Sequence, residues 1–292
     1  MKNKGGFFKS NWAYLIWFCF YFSVAVFTIN SSSQNIWKSL LITSLIYGAC
    51  IGLALSPLGE VIVRLMEGAN RIRTQEDKDY LLPIFEEVYE EAKSFSPHIN
   101  KDIKLYITDS MCVNAFAVGR KTVAVTRGAI STFSRDELKG VLAHELGHMA
   151  NGDTKALLIK LVGNGFFSLI VFALRVVMNI IQAIPMILGR NNIIILFYGF
   201  LAFLAKTFVD MVIFAIIFFG DVIIALNSRY SEFLADKYAH LIGYGEDLKK
   251  SLYLLSKISL PRKLTLTERL KASHPYTSAR IEKLELLQEQ TA

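Results

Sequence analysis

The sequence predicts a mostly α-helical integral membrane protein that carries one polar α+β domain. Three observations indicate this fold class. The chain of 292 residues is 53% hydrophobic, it contains four long apolar runs, and a polar segment separates the second run from the third. The mean hydropathy of +0.38 lies well above the value typical of soluble domains. The polar segment is long enough to form one compact domain.

The charge balance favours a membrane partner over nucleic acid. The formal net charge is +7, which suits nucleic-acid binding but also loops that face an anionic cytoplasmic leaflet. No arginine-rich stripe interleaved with aromatic residues is present, so nucleic acid is not expected as a partner. Cys19, Cys50 and Cys112 form no CxxC pair, which argues against a disulfide framework or a thiolate zinc site.

The first two apolar runs cover residues 12–29 and 40–55, and each is about long enough to cross a hydrocarbon core. A secretory signal peptide can look similar to the first run. No convincing small-residue cleavage site follows it, and the second run comes soon after, so we expect a retained anchor. Basic residues before the first run and after the second predict that both flanks are cytosolic. These residues are Lys2, Lys4, Lys9, Arg64, Arg71 and Arg73.

The last two apolar runs cover residues 157–188 and 193–226, with a turn at 189–192. Arg175, Lys206 and Asp210 lie deep within them. A substrate or ion path, an internal ion pair, or helices projecting beyond the bilayer would each explain these charges. The predicted division is a membrane anchor at 1–56, a cytosolic domain at 57–156, a transmembrane hairpin at 157–226 and a C-terminal cytosolic helical part at 227–292. This topology has four spans and leaves both termini in the cytoplasm.

Local signals predict the elements of the polar domain. Thr74 opens a helix in the manner of a capping box. Alternating or β-rich stretches predict strands at 103–108, 113–118 and 122–126, and the last two are joined as a hairpin through 119–121. Ser134 and Glu137 form a second capping box, and Gly152 ends the helix that it opens.

That second helix carries the sequence H-E-L-G-H at residues 144–148. His144 and His148 lie one turn apart on a shared helix face, so both imidazoles can reach one metal ion. Glu145 is rotated by about 100°, which suits a general base acting on water better than a third ligand. Gly147 would leave room for a substrate backbone. The alternative is two polar residues on a solvated helix face, and a third ligand would discriminate.

A candidate third ligand lies in Y-S-E-F-L-A-D, residues 230–236. Glu232 would complete a site of two histidines and one carboxylate, which leaves a fourth position for water. Asp236 lies four residues later on the same helix face and could orient a ligand histidine through its second ring nitrogen. The alternative is an ordinary solvated pair of acids. Two apolar runs separate this segment from the histidines, so an even number of crossings returns the chain to the same side.

The last motif is S-H-P-Y-T-S-A-R, residues 273–280. His274 and Arg280 could converge on the metal and stabilise the oxyanion formed when water attacks a carbonyl. The alternative is a capping histidine and a surface arginine.

Together these motifs resemble the HtpX family of membrane-embedded zinc metallopeptidases, and more distantly the type I CAAX prenyl proteases and the mitochondrial peptidase Oma. The resemblance covers essentially the whole chain. It implies a cytosolic zincin-like (HExxH) domain and one Zn²⁺ per chain, bound by His144, His148 and Glu232, with Glu145 as the base. It also implies that Asp236 orients a ligand.

The resemblance further implies roles near the substrate. His274 and Arg280 match residues thought to steady the transition state in the prenyl protease relatives. The sequence N-A-F-A at 114–117 resembles the edge strand that lines the cleft, where a substrate would add as a further strand. Asn114 and the backbone of Ala115 would then contact it, although Asn114 could also be a turn-proximal strand residue.

These features predict a zinc endopeptidase of the cell inner membrane, with the bilayer and unfolded or membrane polypeptides as partners. The resemblance to the HtpX family implies that it removes misfolded or damaged membrane proteins at the cytosolic face, as part of a stress response. One rival is a processing peptidase of the CAAX type, for which four spans look too few to enclose a chamber. The other is a catalytically silent membrane chaperone or scaffold with structural zinc, which would have no need of Glu145.

Overall fold

A computed structural model describes residues 11–188, 192–258 and 277–290, except for the side chains of residues 32, 161–170, 186 and 188. The chain is mostly helical, as the sequence predicts. In chain order the elements are α1 (Trp12–Ser33), α2 (Ile36–Leu55), α3 (Pro57–Met66), β1 (Ala69–Arg71), α4 (Gln75–Phe95), β2 (Lys104–Thr108), β3 (Ala115–Val118), β4 (Thr122–Thr126), α5 (Arg127–Thr132), α6 (Arg135–Asn151), α7 (Asp153–Leu188), α8 (Ile193–Leu241), α9 (Gly245–Ile258) and α10 (Thr277–Glu289).

Within the described residues, three helices are long and apolar enough to cross a membrane. They comprise Trp12–Ser31 of α1, the whole of α2, and α8. A shorter apolar stretch, Val171–Pro185, lies in α7, where the sequence predicts the third of four spans. Large apolar side chains such as Phe27 and Trp37 are more than three-quarters exposed on these helices. Their exposure is typical of surfaces solvated by lipid, so the predicted membrane character is confirmed, whereas three spans, not four, are identified.

Three of the charges inside the last two apolar runs form one network. Asp210 of α8 accepts from Lys206 Nζ at 3.1 Å through one oxygen and from Arg175 Nε of α7 at 3.1 Å through the other. The Lys206 contact is a one-turn helical pair, and the Arg175 contact joins the two helices. Of the three interpretations of these charges, the internal ion pair is therefore the one that the geometry favours.

The polar domain contains a four-stranded sheet in the order β1-β2-β4-β3. β2 and β4 are parallel, whereas β3 and β4 form the predicted antiparallel hairpin. The three predicted strands are confirmed, but β1 was missed because a strand of three residues is too short to show a period-two pattern. β3 lies at one end of the strand order, so only one of its sides pairs with a described strand.

One core joins the sheet, α4 and α6 to the C-terminal helices. Leu142 and Leu146 of α6 are fully buried against α4 residues such as Val88, and Tyr238 of α8 and Leu284 of α10 lie in the same cluster. The Tyr238 hydroxyl also donates to the Ala92 carbonyl at 3.1 Å. Burying so many apolar side chains in one cluster holds the last helices of the chain against the histidine helix.

Candidate metal centre

The histidine helix α6 begins and ends where the sequence predicts. The Ser134 hydroxyl accepts from the Glu137 amide at 3.3 Å, and the Glu137 carboxylate accepts from the Ser134 amide at 2.8 Å. This reciprocal capping box satisfies two amides of the first turn. Gly152 ends the helix at φ 82°, in the left-handed region that glycine adopts without steric cost. His144 and His148 lie in the last two turns.

Three side chains converge at this end of α6. His144 Nε2 and His148 Nε2 lie 3.2 Å apart. Glu232 of α8 places one oxygen 3.5 Å from His144 Nε2 and the other 3.6 Å from His148 Nε2. Ligands about 2.0–2.1 Å from a tetrahedral zinc ion would lie about 3.3 Å from one another. The spacing of the three groups therefore fits a single zinc ion.

The second nitrogen of each imidazole is held by a carboxylate. His144 Nδ1 lies 2.9 Å from Asp236 Oδ1, and His148 Nδ1 lies 2.9 Å from Asp153 Oδ2. Each Nδ1–H donates to its carboxylate, which leaves both Nε2 lone pairs directed at the shared point between the rings. Two lone pairs 3.2 Å apart repel each other unless a cation lies between them, so the chemistry of the donor set also fits a bound metal.

The sequence interpretation missed Asp153. This residue opens α7 immediately after the glycine that ends α6. The sequence does contain a signal for it, because an acidic residue, Asp153, stands five positions after His148, the second histidine of H-E-L-G-H. It was overlooked because only a change of helix direction at Gly152 brings the Asp153 carboxylate back to the imidazole. The aspartate also links the histidine helix directly to the apolar helix α7.

Arg280 of α10 lies in the site, as the sequence predicts, and contacts its acids. Its Nη2 and Nε donate to the two oxygens of Asp236 at 2.6 and 2.8 Å, and Nη1 lies 3.1 Å from Glu232 Oε2. This forked pairing fixes the Asp236 carboxylate while that carboxylate holds His144. The guanidinium thus fixes both Glu232, a metal ligand, and Asp236, which orients His144.

The electrostatics of the pocket favour a cation. Burial is the largest single influence on the His148 pKa and lowers it, but the hydrogen bonds and negative charges of Asp153 and Glu232 together leave the pKa well above its ordinary value. The pKa of Glu145 is also raised, because the effect of burial exceeds the opposing effect of the neighbouring histidines. Glu145 is 9% exposed and adjoins the ligand pair along α6. A buried carboxyl at this position suits proton transfer.

The expected role of Gly147 beside a substrate is wrong. A Cβ atom at this position would lie 3.1 Å from both the Cα and the carbonyl oxygen of Ala235, and 3.1 Å from Tyr238 Cβ. The space left by the missing side chain is occupied by α8, not by a cleft. The glycine allows close packing of α6 on α8, which brings Glu232 and Asp236 to the histidines.

Asn114 and Ala115 are not among the residues that form this cluster. Asn114 is exposed just before β3, where its amide donates to Thr126 Oγ1 at 3.0 Å and its carbonyl accepts from the Thr126 amide at 3.0 Å. Ala115 begins β3 and pairs with Val125. The strand packs beside α6. His274, the other predicted residue, falls outside the described residues.

Comparison with known proteins identifies the family. The model of peptidase family M48 matches residues 76–288, which include every described residue of the metal cluster. The chain belongs to peptidase family M48.

Curated relatives in this family carry the name Protease HtpX. One from Shewanella baltica (strain OS185) is 33% identical over 232 residues, covering 76% of this chain and 75% of the relative. Another from Pseudomonas paraeruginosa (strain DSM 24068 / PA7) is 31% identical over 239 residues, covering 79% and 75%. Among solved structures, the crystal structure of S. mikatae Ste24p aligns with a TM-score of 0.46 and 18% identity, covering 90% of this chain and 61% of that one.

Membership of family M48, together with the apolar helices, makes this protein a membrane zinc metallopeptidase. The resemblance to the HtpX family inferred from the motifs is confirmed. His144, His148 and Glu232 are the residues that could hold one ion, which agrees with the zinc dependence of the family.

Proposed function

We propose that this chain is a multi-pass endopeptidase of the inner membrane that cleaves unfolded, misfolded or damaged membrane polypeptides at the cytosolic face. In this proposal the chain crosses the bilayer four times, with the boundaries predicted from the sequence, and both termini are cytoplasmic. The observation that carries the proposal is that the metal cluster is built onto the membrane helices themselves. Glu232 stands on α8, and Asp153 is the first residue of α7.

The distance from bilayer to cluster supports this assignment. Ile224 of α8 packs with Trp17 and Tyr21 of the apolar helix α1, and about 12 Å of helix separates Ile224 from Glu232. A cleft this close to the hydrocarbon boundary can receive a segment that has left the bilayer without folding. A metal ligand on the same helix that enters the bilayer fixes the cleft at the membrane surface.

The proposed residue roles follow from the contacts. His144, His148 and Glu232 would hold the zinc ion, which when bound supplies a Lewis acid that polarises the scissile carbonyl and acidifies water. Glu145 takes a proton from the attacking water as its oxygen bonds to the carbonyl carbon. Glu145 then gives this proton to the departing amine as the C–N bond breaks. Asp236 and Asp153 hold the imidazole rings in the required orientation.

Further residues are proposed around the substrate. Arg280 holds Asp236 and Glu232 and would stabilise negative charge on the carbonyl oxygen, together with His274. The substrate would pair with the open side of β3, where Ala115 offers its backbone and Asn114 its side chain. The position of β3 at the end of the strand order supports this mode of binding.

The test is the variant Glu145→Gln, assayed in proteoliposomes with a destabilised integral membrane protein as substrate. We expect one zinc per chain in both wild type and variant, and a loss of cleavage on the order of 10²-fold or more in the variant. Glu86→Gln is the matched control, because Glu86 is an exposed glutamate of α4 outside the site, and it should retain wild-type cleavage.

Each alternative result is informative. Retained cleavage in Glu145→Gln would contradict the role of general base, and loss of zinc would make Glu145 a ligand or a folding element. Preferred cleavage of a prenylated C-terminal peptide over the unfolded membrane protein would favour the processing peptidase instead. A reporter fused to the C-terminus that proves active only outside the cytoplasm would contradict the topology.

A further inference from the structure

The short helix α3, which follows the second membrane helix, has two opposite faces of different character. Leu58, Ile62, Leu65 and Met66 are exposed, and Met66 is 80% exposed. At about 100° per residue these four side chains fall within an arc of about 100°. Among the described residues, this arc is open to the surroundings. An exposed apolar face of this kind marks a site of interaction.

The opposite face of α3 is polar and engaged with the catalytic domain. Glu60 is buried, and its carboxylate accepts from the Arg120 amide at 3.0 Å, the Lys121 amide at 3.1 Å and the Thr122 hydroxyl at 2.6 Å. These groups form the turn between β3 and β4. One turn later, Arg64 donates to the Tyr106 hydroxyl of β2 at 2.7 Å. Glu60 and Arg64 lie about 170–210° around the helix from the centre of the apolar arc.

The corner between α2 and α3 fixes the helix next to the bilayer. Ser56 is extended, at ψ 162°, and caps α3 through its hydroxyl, so α3 is a new helix rather than a continuation of α2. At Gly59 an added Cβ would lie 2.4 Å from the Ala54 carbonyl oxygen, so the start of α3 lies directly against the end of α2. The apolar face of α3 therefore continues the lipid-exposed surface of α2, on which Leu53 and Leu55 are exposed.

Basic side chains lie on the polar side of α3. Arg120 and Lys121 are exposed on the turn that Glu60 holds. Lys155, near the start of α7, is close enough to Arg120 for their charges to interact unfavourably. Basic groups on the polar side of a helix whose other face is apolar match a surface with anionic headgroups above an apolar layer.

From these observations we propose that α3 is an interfacial helix, which lies in the headgroup boundary with Leu58, Ile62, Leu65 and Met66 in contact with anionic lipid. The occupant of the exposed face is the bilayer, because α2 delivers α3 there and the flanking charges are complementary to it. On its other face, the Glu60 carboxylate ties the β3–β4 turn to this helix. The strand beside the histidine helix is thereby held at a fixed height above the membrane.

Depth-dependent quenching tests the proposal on the full chain in nanodiscs that contain phosphatidylethanolamine and phosphatidylglycerol. Cys19, Cys50 and Cys112 are replaced by serine, and one cysteine is introduced as Met66→Cys for labelling with an environment-sensitive fluorophore. Some of the lipids carry a nitroxide near the headgroup. A second variant, Glu86→Cys, carries the label on an exposed position of α4.

We expect lipid quenching of about two-fold or more for the label at position 66 and almost none at position 86, since an interfacial helix buries its apolar face by about 5–10 Å. The proposal is overturned if both labels are quenched equally weakly. It is also overturned if the label at 66 is shielded from water without lipid quenching. Such shielding would mean that a second copy, or residues 259–276 of the same chain, covers the helix. Leu53→Cys checks the fold, because this exposed position at the end of α2 contacts lipid whichever way α3 points.

Discussion

Replacing Asp153 by asparagine should weaken zinc binding while leaving the fold intact. The Asp153 carboxylate accepts from His148 Nδ1 at 2.9 Å, and the two side chains are only 11% and 15% exposed. A hydrogen bond to a charged group contributes about 1.5–3 kcal/mol, and a neutral one about 1 kcal/mol. Asparagine can still accept the bond, so the variant should lose about 1–2 kcal/mol, which is about a 5- to 30-fold higher Kd for zinc.

The assay is competition for zinc against a chelator of known affinity, with the full chain in detergent micelles and without any substrate. Asp153 is the first residue of α7, so asparagine removes only the favourable interaction of an acid with the helix start, about 0.3–1 kcal/mol, and circular dichroism checks that the fold is kept. Asp102→Asn is the matched control, because its carboxylate is 67% exposed, pairs with Lys121 at 3.3 Å and is not part of the metal cluster. That variant should bind zinc like the wild type.

A Kd for Asp153→Asn within about two-fold of wild type would refute the reasoning, since second-sphere carboxylates typically change metal affinity by about 10- to 100-fold. Asp153→Ala should have a larger effect than Asp153→Asn, because it removes the acceptor as well as the charge. An alanine variant that binds zinc better than the asparagine variant would equally contradict the proposed orientation of the His148 ring.

Two further predictions concern the stability of the catalytic domain. Gly140→Ala should lower the free energy of unfolding by about 1–3 kcal/mol, because the added Cβ would lie 2.2 Å from the Leu248 backbone nitrogen. Thermal unfolding in micelles measures this, and the control is Gly48→Ala, where no atom lies within 4 Å of the added carbon. The hydrogen bonds from Arg127 lower the pKa of Asp77 in the folded state, so this pair should stabilise the domain above the ordinary aspartate pKa of about 3.9 and lose that contribution as the pH falls through the lowered folded-state value. The free energy of unfolding, measured by circular dichroism during acid unfolding, should therefore depend less on pH in Asp77→Asn than in wild type. The difference should be at most about 1 kcal/mol, because Arg127 is 39% exposed. An identical pH dependence in the two proteins would contradict the assignment.

Local sequence signals were sufficient where the physics is local. Ser134 and Gly152 set the ends of α6 because capping depends on neighbouring backbone groups. The apolar runs predicted the membrane helices because their length and hydropathy are properties of continuous segments. The one-turn spacing of His144 and His148 placed both on one helix face, since helix geometry alone fixes that relation.

The tertiary structure decided relations that cross between elements. The sequence suggested Glu232 as a partner of the histidines, but only the packing of α8 on α6 brings its carboxylate within 3.6 Å of both imidazoles. The same packing assigned Gly147 to a helix contact and not to a cleft.

Asp153 shows most clearly what the sequence left undetermined. Its spacing from His148 has no meaning on a continuous helix, and it becomes a partner of the ring only because the chain turns at Gly152. The apolar face of α3 is a similar case. Its residues look like an ordinary amphipathic pattern until Glu60 is seen to bond the β3–β4 turn on the other side. The sequence by itself determined most of the helices, the apolar character of the membrane helices and the chemistry of the ligands. Which side chains meet was decided by long-range packing, because such contacts depend on the directions in which separate elements cross.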